Sequence, residues 1–286
     1  MERIWAVLVG VDEYERSDIP PLRGCVNDVL LVRWLLKTRF GVPNEDIRVL
    51  VNRRATKENI VRRLGAAIGQ AESGDIVVFY FSGHGSQIRD RDGDELTDAL
   101  DELICPHDMD WDRGTYLTDD DLDRAFAGLP PGVVLEALFD CCFWGAGPRR
   151  LSPELPVQPL RSDIRFLPPP IDVLARAEGD EDRLDYHRLG ARGAFTGRNI
   201  LWAASAEGQP AGEDYLDGRA HGIFTFYGCR FIADNVDRLD PWEYSRARLL
   251  QDLRSRFQAE AYEQRPELAA PPDLLAARPF VPWPGG

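Results

Sequence analysis

The chain has 286 residues, 44% of them hydrophobic, so it can bury a substantial core as one large domain or a domain with an appendage. Its formal net charge of −14 argues against nucleic acid or an anionic membrane surface as a partner. The five cysteines lack zinc-type spacing, which disfavours a disulfide framework and a structural zinc site and favours a reducing cytoplasm. Met1 leads almost directly into the first apolar run, and no run approaches the roughly 20 residues of a membrane span, so we expect neither a signal peptide nor a span.

Short apolar runs alternate with helical patterns along the first half of the chain. The sequence predicts strands over residues 4–11, 47–51, 75–81 and 133–139. It predicts helices that begin near residues 27, 56 and 118, the last two at threonine caps. Strands that alternate with helices imply right-handed crossovers and a parallel sheet covered on both faces, which is an α/β fold.

The composition changes over residues 147–197, which are rich in proline and arginine and have weak periodicity. We expect a long exposed insert there, with disorder as an alternative to an ordered loop. A strand pattern resumes at residue 199, and two helical patterns follow it. The chain therefore divides into a larger part (1–146), the insert (147–197) and a smaller part (198–286), with the first and last parts contributing to one sheet.

Two apolar runs end at residues that can carry chemistry. The run over 77–81 stops at His84, which lies between two glycines, and the run over 133–139 stops at Asp140, Cys141 and Cys142. Ligands of open α/β sheets bind outside the carboxyl ends of the strands. Adjacent strands would therefore place a base and a thiol side by side, as a cysteine nucleophile requires. A histidine after a strand is a weak signal by itself, because it can equally serve a structural role.

The segment Ser82-Gly83-His84-Gly85 together with Asp140-Cys141-Cys142 resembles the caspase-like peptidases, and among them most closely the metacaspases. Further family landmarks occur in order across nearly the whole chain outside the insert, at residues 24–28, 92–95, 100–102, 117–120, 204–206 with Gln209 and Glu213, 222–225 and 264–268. The resemblance implies a caspase-like αβα sandwich, with a mostly parallel six-stranded central sheet flanked by helices. It also implies a bacterial-type member without an N-terminal prodomain.

The resemblance implies a dyad in which Cys142 is the nucleophile and His84 is the general base and later the general acid. Cys141 competes for the role, but it falls on the variable position of the motif and reads equally as a small buried hydrophobe. The backbone N–H groups of Gly85 and Cys142 are the natural donors of an oxyanion hole. No residue that orients His84 can be chosen from the sequence.

Specificity is also implied by the resemblance. Positions matching Asp28 and Asp140 line an acidic S1 pocket, with Cys25 and Ser82 nearby. Carboxylates facing the scissile residue favour arginine or lysine over an acidic residue. Asp28 also reads as an acid that is favoured at a helix start by the macrodipole, a role compatible with lining the pocket.

Calcium is the one cofactor that the resemblance suggests. Residues matching Asp101, Asp119 and Asp120 bind an activating calcium in metacaspases, and a hard cation takes six to eight oxygen ligands. A further family acid falls near Arg149, which is a cation here. A solvated acidic loop is the alternative, and the chemistry itself requires no cofactor.

Arginines of the insert are candidate processing sites for self-cleavage or for an upstream activating protease. These are Arg149, Arg150, Arg161, Arg165, Arg176 and Arg183. Exposed and flexible segments are where proteolysis concentrates. The alternative is that the insert is a passive surface loop. A chain that is inactive until the insert is cleaved would be a zymogen.

We therefore expect a cytoplasmic cysteine endopeptidase that cleaves protein or peptide substrates after arginine, with lysine as a further candidate, and that is regulated by insert cleavage or calcium. In the family motif after the nucleophile, Phe143 and Trp144 replace histidine and serine. The alternative is a catalytically inactive caspase-fold scaffold that binds a protein partner through its acidic cleft. His107, His187 and His221 lack motif context, so we expect them on the surface or in loops.

Overall fold

The computed structural model describes residues 2–89, 100–142, 163–170, 173, 199–206, 209–236 and 243–281. Its strands are β1 (Ile4–Gly10), β2 (Ile47–Val51), β3 (Ile76–Ser82), β4 (Gly85–Arg89), β5 (Leu100–Ile104), β6 (Leu117–Thr118), β7 (Val134–Asp140), β8 (Asp163–Ile164), β9 (Asn199–Ala203), β10 (Gly212–Leu216), β11 (Arg219–Gly222) and β12 (Glu267–Ala269). Its helices are α1 (Cys25–Arg39), α2 (Lys57–Ile68), α3 (Asp119–Phe126), α4 (Ile223–Asn235), α5 (Arg246–Ala259) and α6 (Pro272–Ala276).

A six-stranded sheet in the order β12-β9-β7-β3-β1-β2 forms the centre of the fold. Its strands pair in parallel, except that β12 runs antiparallel to β9 at one edge. β3 and β7 are buried along their whole length, as expected for central strands covered by helices on both faces. The expected α/β fold with a mostly parallel six-stranded sheet is confirmed.

The helices divide the core into two apolar layers. Side chains of α1, α4 and α5 pack on one face of the sheet, and those of α2 and α3 pack on the other. Thr56 and Thr118 cap α2 and α3, as their sequence patterns predicted. The sequence predicts the start of α1 near residue 27, whereas the helix begins at Cys25, because both oxygens of Asp12 accept the N–H groups of Cys25 and Val26. A side chain from another loop thus caps this helix.

Two small sheets lie beside the main sheet. One has the order β4-β5-β6 and the other the order β11-β10-β8. Apart from the apolar residues of β5, these strands were not predicted, because they are short and carry polar residues. The second sheet contains β8, which belongs to the insert. The expectation of an exposed insert is wrong for Arg165 and Leu167, which are buried.

An ion pair is buried between the sheet and α5. The Glu136 carboxylate accepts hydrogen bonds from Arg246 Nε at 3.0 Å and Nη2 at 2.8 Å, and both side chains are fully buried. Trp202 Nε1 and the Phe280 N–H also donate to this carboxylate. Every lone pair direction of Glu136 is thereby used, as a buried charge requires. Across the residues that the structure describes, no helix combines the length and apolarity needed to cross a membrane.

Candidate active site

His84 and Cys142 are brought together by the pairing of β3 with β7. Ser82 lies opposite Asp140 in the parallel register of these two central strands. His84 and Cys142 each follow two residues after that pair, so both emerge at the same carboxyl edge of the sheet. The expectation that neighbouring strands present the two side chains at one edge agrees with this geometry.

The His84 ring is held by the loop that follows β1. Its Nε2 lies 2.8 Å from the Pro20 carbonyl oxygen, and its backbone N–H donates to the Tyr14 hydroxyl at 2.9 Å. Because a carbonyl can only accept, Nε2 carries the proton and Nδ1 is the basic nitrogen. Nδ1 is buried and has no hydrogen-bond partner among the described residues. Burial lowers the pKa of His84 to about 4, although the Pro20 carbonyl opposes this shift.

The orienting group for His84 is thus a backbone carbonyl, which sequence reasoning could not find because any residue supplies one. Tyr14 adds a ring contact at 5.3 Å between centroids. Neither residue belongs to a motif that the sequence singled out.

The Cys142 thiol is buried beside Ala211. Its Sγ accepts the Ala211 N–H at 2.8 Å and donates to the Ala211 carbonyl at 3.1 Å. Burial raises the pKa of Cys142 to about 12, so the thiol is protonated in this state. Cys141 packs in the apolar layer on the α2 and α3 face, whereas Cys142 packs in the opposite layer. This agrees with the reading of Cys141 as a small buried hydrophobe.

The carbonyl oxygen of Arg165 lies between the two expected oxyanion donors. It accepts the Gly85 N–H at 3.0 Å and the Cys142 N–H at 3.1 Å. A Cβ at residue 85 would overlap the Cys142 carbonyl oxygen, so this close backbone approach requires glycine. The two N–H groups that were expected to stabilise an oxyanion thus bind a peptide carbonyl oxygen in this structure.

The Arg165 side chain fills the pocket expected to be S1. Its Nη2 lies 2.8 Å from Asp28 Oδ2 and 3.4 Å from Glu213 Oε2. Its Nη1 lies 3.0 Å from Asp140 Oδ1 and donates to Ser82 Oγ at 2.9 Å and to the Asp140 carbonyl at 3.1 Å. The guanidinium is fully buried, and the carboxylates of Asp28, Asp140 and Glu213 surround it in place of water.

Two residues of this pocket were missed by the sequence reasoning. Glu213 lies in a family landmark but was not assigned to the pocket, where it also accepts the N–H groups of Arg23 and Gly24. His221 was expected on the surface or in a loop, and that expectation is wrong. It is buried, and its Nδ1 lies 3.0 Å from Asp28 Oδ1. Both residues belong to the β10-β11 hairpin, whose approach to α1 is decided by tertiary packing.

The pKa values of the pocket acids differ because burial and the neighbouring charges act on each acid to a different extent. Burial raises the pKa of Asp140 to about 6, and the neighbouring Asp28 adds to the shift while Arg165 opposes it. Burial disfavours the charged form of Asp28 as well, but Arg165 and His221 outweigh this and hold its pKa below the usual value. Burial also raises the pKa of Glu213. Asp140 therefore gains a proton more readily than Asp28 as the pH falls through about 6.

Residues 163–167 pass through the site as an extended peptide. Ile164 pairs with Gly212 in the antiparallel β8-β10 ladder, and the Arg165 N–H donates to the Ala211 carbonyl at 3.0 Å. On the other side of Arg165, the Leu167 N–H donates to the Gly85 carbonyl at 2.9 Å. Part of the insert therefore occupies the site in the manner of a bound peptide, with Arg165 in the acidic pocket.

A model of the metacaspase peptidase C14 domain matches residues 5–147 of the chain. The chain belongs to the metacaspase family. This is a family of cysteine-type peptidases, and the expected resemblance is confirmed.

Curated metacaspases from fungi support the assignment. Metacaspase-1 from Meyerozyma guilliermondii is 39% identical over 147 residues, which are 49% of this chain and 35% of that protein. Metacaspase-1A from Aspergillus niger is 28% identical over an alignment that spans 95% of this chain and 71% of that protein. The match to the first relative thus spans only about a third of its length, whereas the second extends through the C-terminal part of this chain.

Solved structures share the fold at low identity. A crystal structure of a protein from Geobacter sulfurreducens has a TM-score of 0.71 at 19% identity and covers 98% of this chain, with 99% of its own chain aligned. The crystal structure of Caspase-1 from Spodoptera frugiperda has a TM-score of 0.52 at 13% identity, covering 94% and 88% of the two chains. These similarities confirm the caspase-like fold.

The acids expected to bind calcium in this metacaspase lie near the β4-β5-β6 sheet. Asp101 is buried on β5, and Asp119 and Asp120 form the first turn of α3, which follows β6. Carboxylate oxygens are the donors that calcium prefers. Within the described ranges, however, these three acids do not bring one oxygen each within 4.8 Å of one another. The donor chemistry suits calcium, but the residues do not form a ready ligand shell.

One group of three candidate ligands does meet that distance among the described residues, namely Asp12, Cys25 and Glu213. Their carboxylates are already used by backbone N–H groups at the start of α1. Cys25 is buried next to the acidic pocket that was expected to be S1, and burial raises the pKa of its thiol. This group therefore reads as part of the pocket wall.

Several expectations lie outside the described residues. These concern Phe143 and Trp144 beside the nucleophile, and the processing candidates Arg149, Arg150, Arg161, Arg176 and Arg183. Of the six candidate arginines, Arg165 is the one that falls within the described ranges.

Proposed function

We propose that the chain is a cysteine endopeptidase that cleaves after arginine, with Cys142 and His84 as its dyad. The observation that carries the proposal is the double placement of Arg165. Its guanidinium contacts Asp28, Asp140 and Glu213, while its carbonyl oxygen accepts the two backbone donors beside Cys142. A peptide with arginine before the scissile bond would have its reactive carbonyl at the thiol.

Arginine is preferred over lysine because the two terminal nitrogens of Arg165 reach different acids. Nη2 is directed at Asp28 and Glu213, and Nη1 at Asp140. A single ammonium at the end of a lysine side chain cannot span this fork. We expect lysine to be accepted more weakly and aspartate to be rejected by like charge.

In the proposed reaction, Cys142 Sγ attacks the arginine carbonyl carbon while its proton passes to His84 Nδ1. The N–H groups of Gly85 and Cys142 stabilise the resulting oxyanion, and each such donor contributes about 3–4 kcal/mol. His84 then protonates the leaving amine as the C–N bond breaks, which leaves a thioester on Cys142. Water, deprotonated by His84, hydrolyses the thioester and restores the thiol.

Regulation by insert cleavage is part of the proposal. Arg165 occupies the chain's own S1 pocket, so an external substrate is excluded until residues 163–167 leave it. We propose that the bond between Arg165 and Phe166 is the processing site and that the uncut chain is a zymogen. Cleavage elsewhere in the insert by an upstream protease would also let residues 163–167 leave the pocket.

The first prediction concerns cleavage by the purified full-length chain. It should cut itself between Arg165 and Phe166, and then cleave fluorogenic peptides ending in arginine at least about tenfold faster than those ending in lysine. Cys142→Ala should remain intact and inactive. Intact mass and peptide mapping identify the cut, and initial rates give kcat/KM.

Two outcomes would contradict this reading. Activity that is absent from wild type and Cys142→Ala alike, even after limited proteolysis of the insert, would favour the inactive scaffold. Cleavage after aspartate would show that Asp28, Asp140 and Glu213 do not form the specificity pocket.

Calcium enters the same experiment as a separate arm. We propose calcium as an activator that binds at the acids near β5 and α3, so added calcium should accelerate self-cleavage and Asp120→Asn should weaken that response. Equal rates with calcium and with a chelator would contradict the proposal.

A cytoplasmic location is supported by the five cysteines, all of which are free and buried.

A further inference from the structure

The peptide segment in the site is bound on both sides of Arg165. Beyond the oxyanion donors, Phe166 forms a parallel bridge with Gly85, and the Leu167 N–H donates to the Gly85 carbonyl at 2.9 Å. The buried Ser86 hydroxyl donates to the Leu167 carbonyl oxygen. The residues after the scissile bond therefore lie alongside the start of β4, whereas the residues before it pair with β10.

The Leu167 side chain enters an apolar cluster that is separate from the two layers of the main core. The cluster consists of Ile19, Ile88, Leu103, Cys105, Met109, Tyr116 and Leu167, all of them buried. Its other members come from the loop after β1, from β4 and β5, and from the segment between β5 and β6. Leu167 is 6% exposed, whereas the neighbouring Phe166 is half-buried and Pro168 is exposed. Burial is thus concentrated at the second residue after Arg165.

We propose that this cluster is a substrate subsite that binds a large aliphatic residue at the second position after the scissile bond. The proposal rests on the proposed function, because the Arg165 carbonyl in the oxyanion hole defines the scissile bond and thereby numbers Leu167. The enzyme then selects an extended peptide of the form Arg-X-Leu, cleaved after arginine. Hydrogen bonds from the peptide main chain to the Gly85 carbonyl and the Ser86 hydroxyl fix the register, and the apolar cluster supplies the selectivity.

The physical basis is the difference between leucine and a polar residue of similar size. Leucine leaves water on entering the cluster, whereas the amide of asparagine would lose its hydrogen bonds to water. The other residues of the cluster are apolar, weakly polar through sulfur, or a tyrosine, so little is available to replace those bonds. We expect discrimination on the order of tenfold to a hundredfold in kcat/KM.

The test uses internally quenched peptides that carry the sequence Ile-Arg-Phe-Leu-Pro of residues 164–168. In one series leucine is replaced by alanine or asparagine, and in a matched series phenylalanine at the preceding position is replaced in the same way. The self-processed full-length protein is the enzyme, and an arginine anilide, which ends before this subsite, reports on the dyad and S1. Cleavage should fall strongly in the leucine series and only weakly in the phenylalanine series, with anilide cleavage present throughout.

Equal cleavage of the leucine and asparagine peptides, with the anilide cleaved normally, would overturn the subsite and leave the proposed function intact. Binding gives a second readout that does not depend on chemistry. The full-length double variant Cys142→Ala/Arg165→Ala, whose own segment has lost its anchor in S1, should bind the labelled leucine peptide at least about tenfold more tightly than the asparagine peptide. Leucine-dependent binding in a chain that cleaves neither peptide nor anilide would support the subsite and refute the peptidase; equal binding would refute the subsite.

Discussion

At the scale of single residues, the acids around Arg165 differ in what holds them. Asp28 accepts hydrogen bonds from the Gly222 N–H and from Ser82, besides its contacts with Arg165 and His221. Asp140 accepts the backbone N–H and the hydroxyl of Thr225 through Oδ2, while its Oδ1 faces the guanidinium. The more strongly supported Asp28 keeps its charge, and Asp140 gains a proton more readily.

This difference predicts how cleavage after arginine depends on pH. The pKa of Asp140 is raised to about 6, mainly by burial, so its charge is present above that pH and is lost as the pH falls through about 6. We expect kcat/KM for an arginine peptide to decrease over that window. Asp140→Asn should lower kcat/KM by about a hundredfold at pH 7.5 and remove the acid limb.

Asp28→Asn is the matched control, because the pKa of Asp28 lies below its usual value. This variant should also weaken cleavage and should retain an acid limb, but at a lower pH, because the Asp28 charge no longer raises the pKa of Asp140. If the acid limb of the pH profile is unchanged in Asp140→Asn, the limb belongs to a group other than Asp140.

At the scale of elements, the site depends on how the helices hold the sheet. β7 carries Asp140 and Cys142 at or just beyond its carboxyl end, and Glu136 near its middle fastens it to α5 through Arg246. The Arg246 Nη1 also donates to the Leu274 carbonyl of α6. One buried ion pair therefore links β7 to α5 and α6, which belong to the smaller part of the chain.

Breaking that ion pair should cost stability. Arg246→Met leaves the Glu136 carboxylate buried without a cation, so we expect the free energy of unfolding to fall by about 3–5 kcal/mol. Urea denaturation followed by circular dichroism measures the change in the Cys142→Ala background, where self-cleavage does not interfere.

Arg248→Met on the same helix is the control. Arg248 is exposed and pairs with Asp252 one turn later, a contact worth about 0.3–0.5 kcal/mol. Equal losses for the two variants would show that the buried pair has no special role. Adding Glu136→Gln to Arg246→Met should recover part of the loss, since the uncompensated charge is then gone.

At the scale of the whole molecule, residues 163–167 of the insert and the candidate active site belong to one folded unit. Residues 163–167 bond to β10 on one side of Arg165 and to β4 on the other. The segment proposed for processing is therefore bound by its own chain before any second molecule is met. Its fully buried arginine is inaccessible to another copy while the fold is intact.

This arrangement predicts that self-cleavage is intramolecular. The first-order rate constant for cutting after Arg165 should be unchanged when the full-length protein is diluted, because the reacting groups share one chain. Full-length Cys142→Ala mixed with processed enzyme should be cut after Arg165 much more slowly than wild type cuts itself. Gel densitometry over a dilution series measures the first rate, and mass spectrometry of the mixture measures the second. A rate proportional to concentration would contradict the prediction.

The sequence predicted the parts of this protein that local patterns encode. The central strands and α1 to α5 follow from apolar periodicity and, for α2 and α3, threonine caps, and the placement of His84 and Cys142 follows from where two buried strands end. Parallel pairing then had to present both at one edge, because the carboxyl ends of parallel strands coincide. Asp28 and Asp140 could also be predicted from the sequence, since each belongs to a motif that adjoins one of these elements.

Tertiary structure alone decided what surrounds those residues. Pro20 orients His84 through a backbone carbonyl, which no side-chain pattern records. Glu213 and His221 reach the pocket because a short hairpin folds against α1, and polar strands of a few residues carry too little periodicity to be predicted. Arg165 was one of six candidate arginines in the sequence, and they are distinguished only by long-range contacts. Its burial depends on carboxylates from three distant parts of the chain converging on one guanidinium, a convergence that exists only once the chain has folded.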